Sequence, residues 1–175
     1  MNAHVSAPAT APEDIDEAMF RFALGRFVTG VAVMTTKSDD GANVGVTVSS
    51  FNTLSLDPPL ILWSLSLKAP SLAHFRAAKR FGVNILASDQ RDLALRFARP
   101  ARDKFADVRV SEGAHGAPLI HGAVVHLECG VEVRHPGGDH ELIIGRILKA
   151  SVNEKAPLVF GHGRFGHFAI PAAED

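Results

Sequence analysis

The spacing of apolar residues near the start of the chain predicts an amphipathic helix at about residues 14–26. Ile15, Met19 and Phe22 recur at helical intervals and therefore fall on one side. Asp14 and Glu17 have the spacing of a capping box, in which side chains satisfy free backbone N–H groups at a helix start. The Ala/Pro-containing residues 1–13 before this helix are expected to form a flexible tail.

Two further helices are predicted in the middle of the chain. Pro70 precedes the amphipathic residues 71–80 and suits the first turn of a helix, because proline lacks an N–H that this turn would leave free. Ser88 is a suitable N-cap for a second helix, which runs to about Phe97 with Leu93 and Phe97 on one side.

Apolar, β-branched runs separated by turn residues predict the strands. Residues 30–36 (GVAVMTT) and 44–50 (VGVTVSS) flank a turn cluster at 37–43, which is the pattern of a β-hairpin. Pro58 and Pro59 cannot donate ladder hydrogen bonds, so a new strand is expected after them. Further strand-like runs lie at residues 60–65, 81–87 and 157–168.

The clearest alternation lies at residues 124–134 and predicts a long strand with one solvated face. The turn-like residues 135–140 (HPGGDH) reverse the chain, and residues 141–151 return as the second strand of a hairpin. Val125, Leu127, Cys129, Val131 and Val133 are predicted on one face of the first strand, and His126, Glu128, Glu132 and Arg134 on the other.

The order of these elements predicts a mainly β protein. Strands outnumber helices, and turns join successive strands, so a doubly wound parallel sheet does not fit. We expect an antiparallel barrel decorated by short helices, in a single domain over residues 14–170.

Hydroxyl side chains are threaded through the most strand-like part of the chain, residues 45–65 (GVTVSSFNTLSLDPPLILWSL). Such side chains can form the solvated face of an exposed sheet. They can also form a polar wall around a planar ligand, where hydroxyl and N–H groups meet its carbonyls, ring nitrogens and phosphate. The pattern alone leaves both interpretations open.

Composition and charge exclude several classes of function. The formal net charge of −1 over 175 residues gives no large basic field, so nucleic acid is not an expected partner. Cys129 is the one cysteine and has no partner for an intramolecular disulfide, which suits a reducing, cytoplasmic compartment. The chain start lacks the features of a signal peptide, and no stretch approaches the roughly 20 apolar residues of a membrane span.

The sequence lacks convincing motifs for dinucleotide binding by a Rossmann fold, for metal binding and for serine hydrolysis. Residues 161–166 (GHGRFG) satisfy G-x-G-x-x-G, but only nine residues follow, so a glycine-rich turn fits better than a dinucleotide fingerprint. The nine histidines lack metal-ligand spacing with Cys or Glu, and no G-x-S-x-G nucleophile motif is present. We therefore expect no metal site and no serine hydrolase. His140 differs from the other histidines, because it lies at a strand start beside a glycine-rich turn.

Five blocks of the chain closely resemble, in the same order, the flavin reductase family with the FMN-binding split-barrel fold. They span residues 45–65, 81–98 (FGVNILASDQRDLALRFA), 103–105 (DKF), 116–129 (GAPLIHGAVVHLEC) and 138–148 (GDHELIIGRIL). The resemblance runs from about Phe20 to Phe168. Members of this family include the small reductase components of two-component flavin-dependent monooxygenases.

The resemblance implies a six-stranded antiparallel Greek-key split β-barrel and a homodimer with flavin near the subunit interface. It also implies hydride transfer from NADH or NADPH to FMN or FAD, after which reduced flavin leaves for a separate monooxygenase. An alternative within this fold is a flavin-binding, electron-storage protein without efficient NAD(P)H oxidation. A further alternative is a reductase whose acceptor is ferric iron or the cobalt of a corrin.

Residues at matching positions receive roles by the same resemblance. The catalytic candidate is His140, which is similar to the family histidine that contacts the nicotinamide cofactor. Thr47, Val48, Ser49 and Ser50 would line the isoalloxazine edge of the flavin, whereas Ser64, Leu65, Ser66, Lys68 and Ser71 would hold its ribityl chain and phosphate. The remaining cofactor-binding candidates are Asn84, Lys104 and Phe105, with Phe165 over the nicotinamide side.

Two positions depart from the family pattern, which often has Ala at Val48 and Tyr at Phe165. The extra bulk of Val48 beside the ring is expected to alter flavin affinity or the choice between FMN and FAD. Phe165 keeps a stacking surface but removes a hydroxyl group.

Overall fold

The fold is that of a computed structural model, which describes residues 16–101 and 103–168. The predicted tail, Asp14 and Ile15 lie outside the described residues. This part of the chain contains three helices: α1 (Glu17–Leu24), α2 (Leu72–Ala77) and α3 (Arg91–Ala98). It also contains twelve strands: β1 (Thr29–Gly30), β2 (Ala32–Lys37), β3 (Asn43–Val48), β4 (Asn52–Leu56), β5 (Pro59–Ser66), β6 (Arg80–Ile85), β7 (Val110–Glu112), β8 (Pro118–Ile120), β9 (Val125–Gly137), β10 (His140–Val152), β11 (Leu158–Gly161) and β12 (Arg164–His167).

Antiparallel pairing builds one large sheet and two small ones, which confirms the prediction of a mainly β, antiparallel protein. The large sheet has seven strands in the order β3-β2-β6-β9-β10-β5-β4, one more than the six that the resemblance implied. The small sheets have the orders β1-β11-β12 and β7-β8. The predicted hairpins β2–β3 and β9–β10 are both present.

The large sheet must curl strongly, because its two edge strands are consecutive in the chain. Only Ser49, Ser50 and Phe51 separate the end of β3 from the start of β4. A flat seven-stranded sheet would hold its edges about 29 Å apart, whereas this link can span at most about 14 Å. The edges therefore approach each other at residues 48–52.

The longest hairpin shows where simple alternation fails. The turn between β9 and β10 is confined to Gly138 and Asp139, so the predicted turn at 135–140 is too long. The register shifts at two bulges, between Ile144 and Gly145 and between Ile147 and Lys149. The placement of Glu128 on a solvated face is also wrong: this residue is 3% exposed, and its carboxylate accepts from the N–H groups of Ala114 and His115.

Local capping sets the helix starts, and it differs from the prediction in two helices. Asp16 caps α1 by accepting from Met19 N–H at 2.6 Å, so the helix is shorter than the predicted residues 14–26. Gln90 is the N-cap of α3, so the prediction of Ser88 is wrong. The Ser88 N–H instead donates to Ala156 O, and Ser88 lies in a turn that precedes the helix.

The second helix is also shorter than its predicted range. Ser71 is its N-cap, and Pro70 lies just before that cap rather than in the first turn. No helix in the described part of the chain is long and apolar enough to cross a bilayer.

Two apolar clusters form the core, and β2 separates them. Ala32 and Met34 face the cluster inside the curl, where the rings of Trp63 and Phe75 meet edge to face at 5.1 Å. Val31 and Val33 face the second cluster, between the large sheet and α3.

Cys129 lies in the first cluster and is 1% exposed. Burial, with a smaller contribution from the neighbouring Glu128 charge, raises the pKa of its thiol to about 12. The thiol is therefore protonated at neutral pH and sheltered from solvent.

Residues 161–166 form the β11–β12 hairpin, which confirms that they are a glycine-rich turn rather than a dinucleotide fingerprint. His162 and Gly163 both have positive φ, 52° and 71°. This is the backbone of a two-residue turn that matches the twist of the strands it joins.

Candidate functional site

An opening forms at the point where the chain leaves β3 and crosses to β4. The ladder between β4 and β5 ends with Asn52 opposite Leu62. Beyond it, the Ser50 hydroxyl donates to Ser64 O at 2.9 Å and accepts from Ser64 N–H at 3.1 Å. The side chain of Ser50 thus replaces the missing backbone partner, and the peptide groups of Ser64 stay satisfied beside an open gap.

This gap, which we call the groove, encloses about 260 Å³. It brings together most of the residues predicted to contact the flavin, together with His140. Its lining consists of Val46, Thr47, Val48, Ser49, Ser50, Ser64, Leu65, Ser66, Ala69 and His140.

Strand alternation decides which side chains face the groove. In β5, Trp63 and Leu65 point into the core, so Ser64 and Ser66 lie on the opposite face. The register with β10 places His140 directly across from Ser66. Paired residues of an antiparallel sheet share a face, so the His140 ring lies beside Ser66.

The hydroxyls of this region divide between structural and free groups. Thr47 donates to Ala94 O of α3 at 2.7 Å, and Ser50 is occupied by Ser64. Ser49 and Ser64 make no side-chain hydrogen bond to any described residue. Part of the hydroxyl pattern therefore satisfies the backbone, and part of it lines the opening.

Val48 and Leu65 line the groove but are mostly buried. Val48 is 9% exposed and Leu65 is 3% exposed, and both side chains pack in the cluster inside the curl. The expectation that Val48 adds bulk beside a flavin ring stays a prediction.

A second cavity of about 540 Å³ adjoins the groove. Gly45 and Pro70 line it, and these residues directly precede or follow residues of the groove lining. It contains three residues predicted to bind cofactor: Ser71, Lys104 and Phe105. The Ser71 hydroxyl makes no hydrogen bond within the described part of the chain.

The Lys104 amine donates hydrogen bonds to backbone carbonyls in this cavity. Its Nζ donates to Phe97 O at 2.9 Å, near the end of α3, and to Gly45 O at 3.3 Å. Burial lowers the pKa of this amine. Gly45 must be glycine here, because a Cβ would lie 2.7 Å from atoms of the Phe97 ring.

Three predicted residues lie outside both cavities. Asn84 is fully buried, where its side chain donates to Val33 O and accepts from Ile120 N–H. It holds the core together, which differs from the predicted cofactor contact. Lys68 is exposed near the Asp139 turn, and Phe165 lines a separate cavity beside the β11–β12 hairpin.

Asp139 orients the His140 ring. Nδ1 of His140 lies 2.7 Å from Oδ1 of Asp139, and this hydrogen bond is the main cause that lowers the pKa of Asp139. An ionised carboxylate accepts from Nδ1–H and so leaves Nε2 as the nitrogen available to a ligand. The His140 side chain is 42% exposed, so a ligand in the groove can reach it.

An ion-pair network that the sequence pattern did not reveal ties α2 to β10. Arg134 donates through Nη2 to the carbonyls of Phe75 and Ala78 at the end of α2. Glu141 accepts from Arg76 of α2 at 2.8 Å and lies 3.8 Å from Arg134 Nε. Glu141 directly follows His140 at the start of β10. The same strand therefore positions His140 and, through Glu141, the helix α2 that Ser71 caps.

We expect Glu141→Gln to lower the free energy of unfolding by about 1 to 2 kcal/mol, because two arginines lose a mostly buried carboxylate partner. Glu17→Gln is the matched control. It removes the exposed ion pair with Arg21 and should change stability by less than about 0.5 kcal/mol. Urea denaturation measures both, and equal effects would contradict a supporting role for the Glu141 network.

Similarity to known proteins agrees with this geometry. The chain is 40% identical over 158 residues to the reductase subunit of a flavin-dependent monooxygenase from Rhodococcus jostii, covering 90% of this chain and 80% of that protein. It is 38% identical to an FMN reductase (NADH) from Agrobacterium fabrum, covering 96% of this chain and 93% of the relative.

A solved structure has the same fold. The NADH:FAD oxidoreductase of Streptomyces globisporus, determined with NAD and FAD fragments, superimposes with a TM-score of 0.86 at 35% identity, over 95% of this chain and all of the other. Residues 24–169 match the family described as flavin reductase like domain. The chain therefore belongs to the flavin reductase family.

Proposed function

We propose that this protein is an NAD(P)H:flavin oxidoreductase that transfers a hydride from NADH or NADPH to FMN or FAD. In this proposal the reduced flavin leaves and supplies a separate monooxygenase. The observation that carries the proposal is the groove, where free hydroxyls and an oriented histidine meet in a chain of this family. The names of the Rhodococcus and Agrobacterium relatives support both the reaction and the monooxygenase context.

The size of the site suits a flavin only if both cavities take part. The groove alone, at about 260 Å³, falls just below the usual range of roughly 300 to 1,000 Å³ for ligand pockets. The adjoining cavity of about 540 Å³ supplies the missing length. The ring would occupy the groove, and the ribityl phosphate would extend toward Ser71.

The donors in the groove also fit a flavin. The Ser49 and Ser64 hydroxyls are free to bond the polar edge of the ring, together with backbone groups of residues 47–50. Ser66 and Ser71 carry hydroxyls toward the ribityl and phosphate end. When bound, the flavin supplies the hydride acceptor, and the protein mainly positions the two cofactors and excludes competing reactions.

His140 serves the pyridine nucleotide in this scheme. Asp139 holds its Nδ1–H, so Nε2 accepts a hydrogen bond or a proton when the imidazole is neutral and donates to the nucleotide when the ring is protonated. Among residues 16–101 and 103–168, no carboxylate lines the groove, which fits hydride chemistry that needs no general base.

Turnover of free flavin tests the proposed function directly. Purified protein is mixed with NADH or NADPH and an excess of FMN or FAD, and the NADH absorbance is followed under air and anaerobically. We expect many equivalents of flavin to be reduced per enzyme. No loss of NADH or NADPH with either flavin would favour the flavin-binding, electron-storage alternative, and reduction only when ferric iron or a cobalt corrin is added would favour those acceptors.

Replacing His140 should separate nucleotide handling from flavin binding. His140→Ala is expected to raise the KM for NADH or slow flavin reduction by about tenfold, because the nucleotide loses a hydrogen-bond partner. The dissociation constant for oxidised FMN should stay within about twofold. The exposed His121→Ala is the control, and steady-state kinetics unchanged in His140→Ala would remove this residue from the site.

We also propose the finer architecture that the resemblance implies, a six-stranded split barrel in a homodimer. Support for the barrel comes from the short link that draws the sheet edges together. Support for the dimer comes from an apolar patch that the described part of the chain leaves exposed. This patch comprises Met19, Phe20, Phe22, Leu24, Phe27 and Val28, each more than half exposed.

If this patch forms the dimer interface, introducing charge into it should separate the subunits. We expect sedimentation to give a dimer, and Phe22→Glu with Phe27→Glu to shift it to a monomer, because a buried unpaired charge is costly. Leu56→Glu adds one such charge at a leucine that is 96% exposed outside the patch, and each of Phe22→Glu and Phe27→Glu alone is its matched comparison; Leu56→Glu should remain dimeric. A wild-type monomer at micromolar concentration would refute this arrangement.

A further inference from the structure

The β11–β12 hairpin turn separates two cavities that the proposed function leaves unused. One, of about 490 Å³, lies toward α3 and is lined by Arg91, Arg164 and Phe165 among others. The other, of about 520 Å³, lies toward α1 and is lined by Arg21, Arg26 and Arg164. We call them the hairpin cavities. No carboxylate of the described part of the chain lines either one.

The arginines of the first hairpin cavity carry no counter-charge within residues 16–101 and 103–168. Arg91 and Arg164 form no ion pair there, whereas Arg146 and Arg76 each hold a carboxylate. In a chain with a net charge of −1, this is a local concentration of positive charge that suits an anion.

An aromatic ring lies among these charges. Phe165 packs edge to face on Phe160 at 5.2 Å, which fixes the plane of its ring. The Arg91 guanidinium lies 6.0 Å from the centre of the same ring. A fixed ring face beside two free guanidinium groups suits a ligand that joins a planar base to phosphates.

The helix α3 contacts both the first hairpin cavity and the groove wall. Arg91 is the first residue of this helix, and Ala94 on the same helix accepts from Thr47 in the groove wall. Three residues of helix amount to about 4.5 Å of rise. A dinucleotide with one end in the groove is long enough to place its other end near Arg91.

We propose that the hairpin cavity toward α3 binds the adenosine diphosphate moiety that NADH and FAD share and FMN lacks. Arg91 and Arg164 bind the phosphates as paired N–H donors, and the adenine stacks on Phe165. The inference rests on the proposed function, because that function supplies the dinucleotides. It assigns Phe165 to the adenosine end instead of the nicotinamide end.

Direct binding of ADP tests the site without any turnover. Calorimetric titration of flavin-free protein with ADP should show binding, and Arg91→Gln with Arg164→Gln should raise the dissociation constant by about tenfold or more. The exposed Arg109→Gln removes a charge outside the cavities and should leave ADP binding unchanged. Equal unfolding midpoints show that the variants are folded. Absence of ADP binding to the wild type, or an unchanged constant in the double variant, overturns the proposal.

Steady-state kinetics then identify the source of the moiety. A KM that rises in the double variant for FAD but not for FMN assigns the site to FAD. A KM for NADH that rises with either flavin assigns it to the nicotinamide dinucleotide. ADP binding without NADH oxidation would refute the proposed function alone, whereas turnover with no arginine-dependent change in any KM would refute this inference alone.

Discussion

The hydrogen bonds between Ser50 and Ser64 allow two strands to separate without leaving backbone N–H and C=O groups unpaired. At Asn52 the backbone ladder with β5 ends, because only three residues connect this strand to the preceding β3. A buried peptide group without a partner is costly. The Ser50 hydroxyl supplies both a donor and an acceptor to Ser64, so the gap between β3 and β5 can persist as a groove.

The surrounding elements hold the walls of this groove in place. Thr47 and the contact of Gly45 with Phe97 tie α3 to one wall. On the other side, Glu141 and Arg134 tie α2 to the strand that begins with His140. The catalytic candidate and the phosphate end of the site are therefore positioned by strands and short helices packed on the core. Rigid elements of this kind suit a protein whose main task is to align two cofactors.

Local patterns predicted the strands well, because alternation and turn residues are properties of short segments. The groups that satisfy one another over long sequence distances were harder to predict. Ser50 and Ser49 look alike in the sequence, and only the end of the β4 ladder decides which hydroxyl is occupied. Asn84 lies in a block that resembles the family, yet its side chain makes three hydrogen bonds within the core. Glu128 follows the polar alternation, but a loop covers it.

The central claim is that the gap held open by Ser50 is the flavin site, and a crystal structure of the protein with FMN tests it most directly. The account predicts the isoalloxazine ring against Ser49 and Ser64, with the phosphate toward Ser71 and His140 at the rim. A flavin bound elsewhere, or a groove filled by protein side chains in the flavin-bound state, would contradict the account.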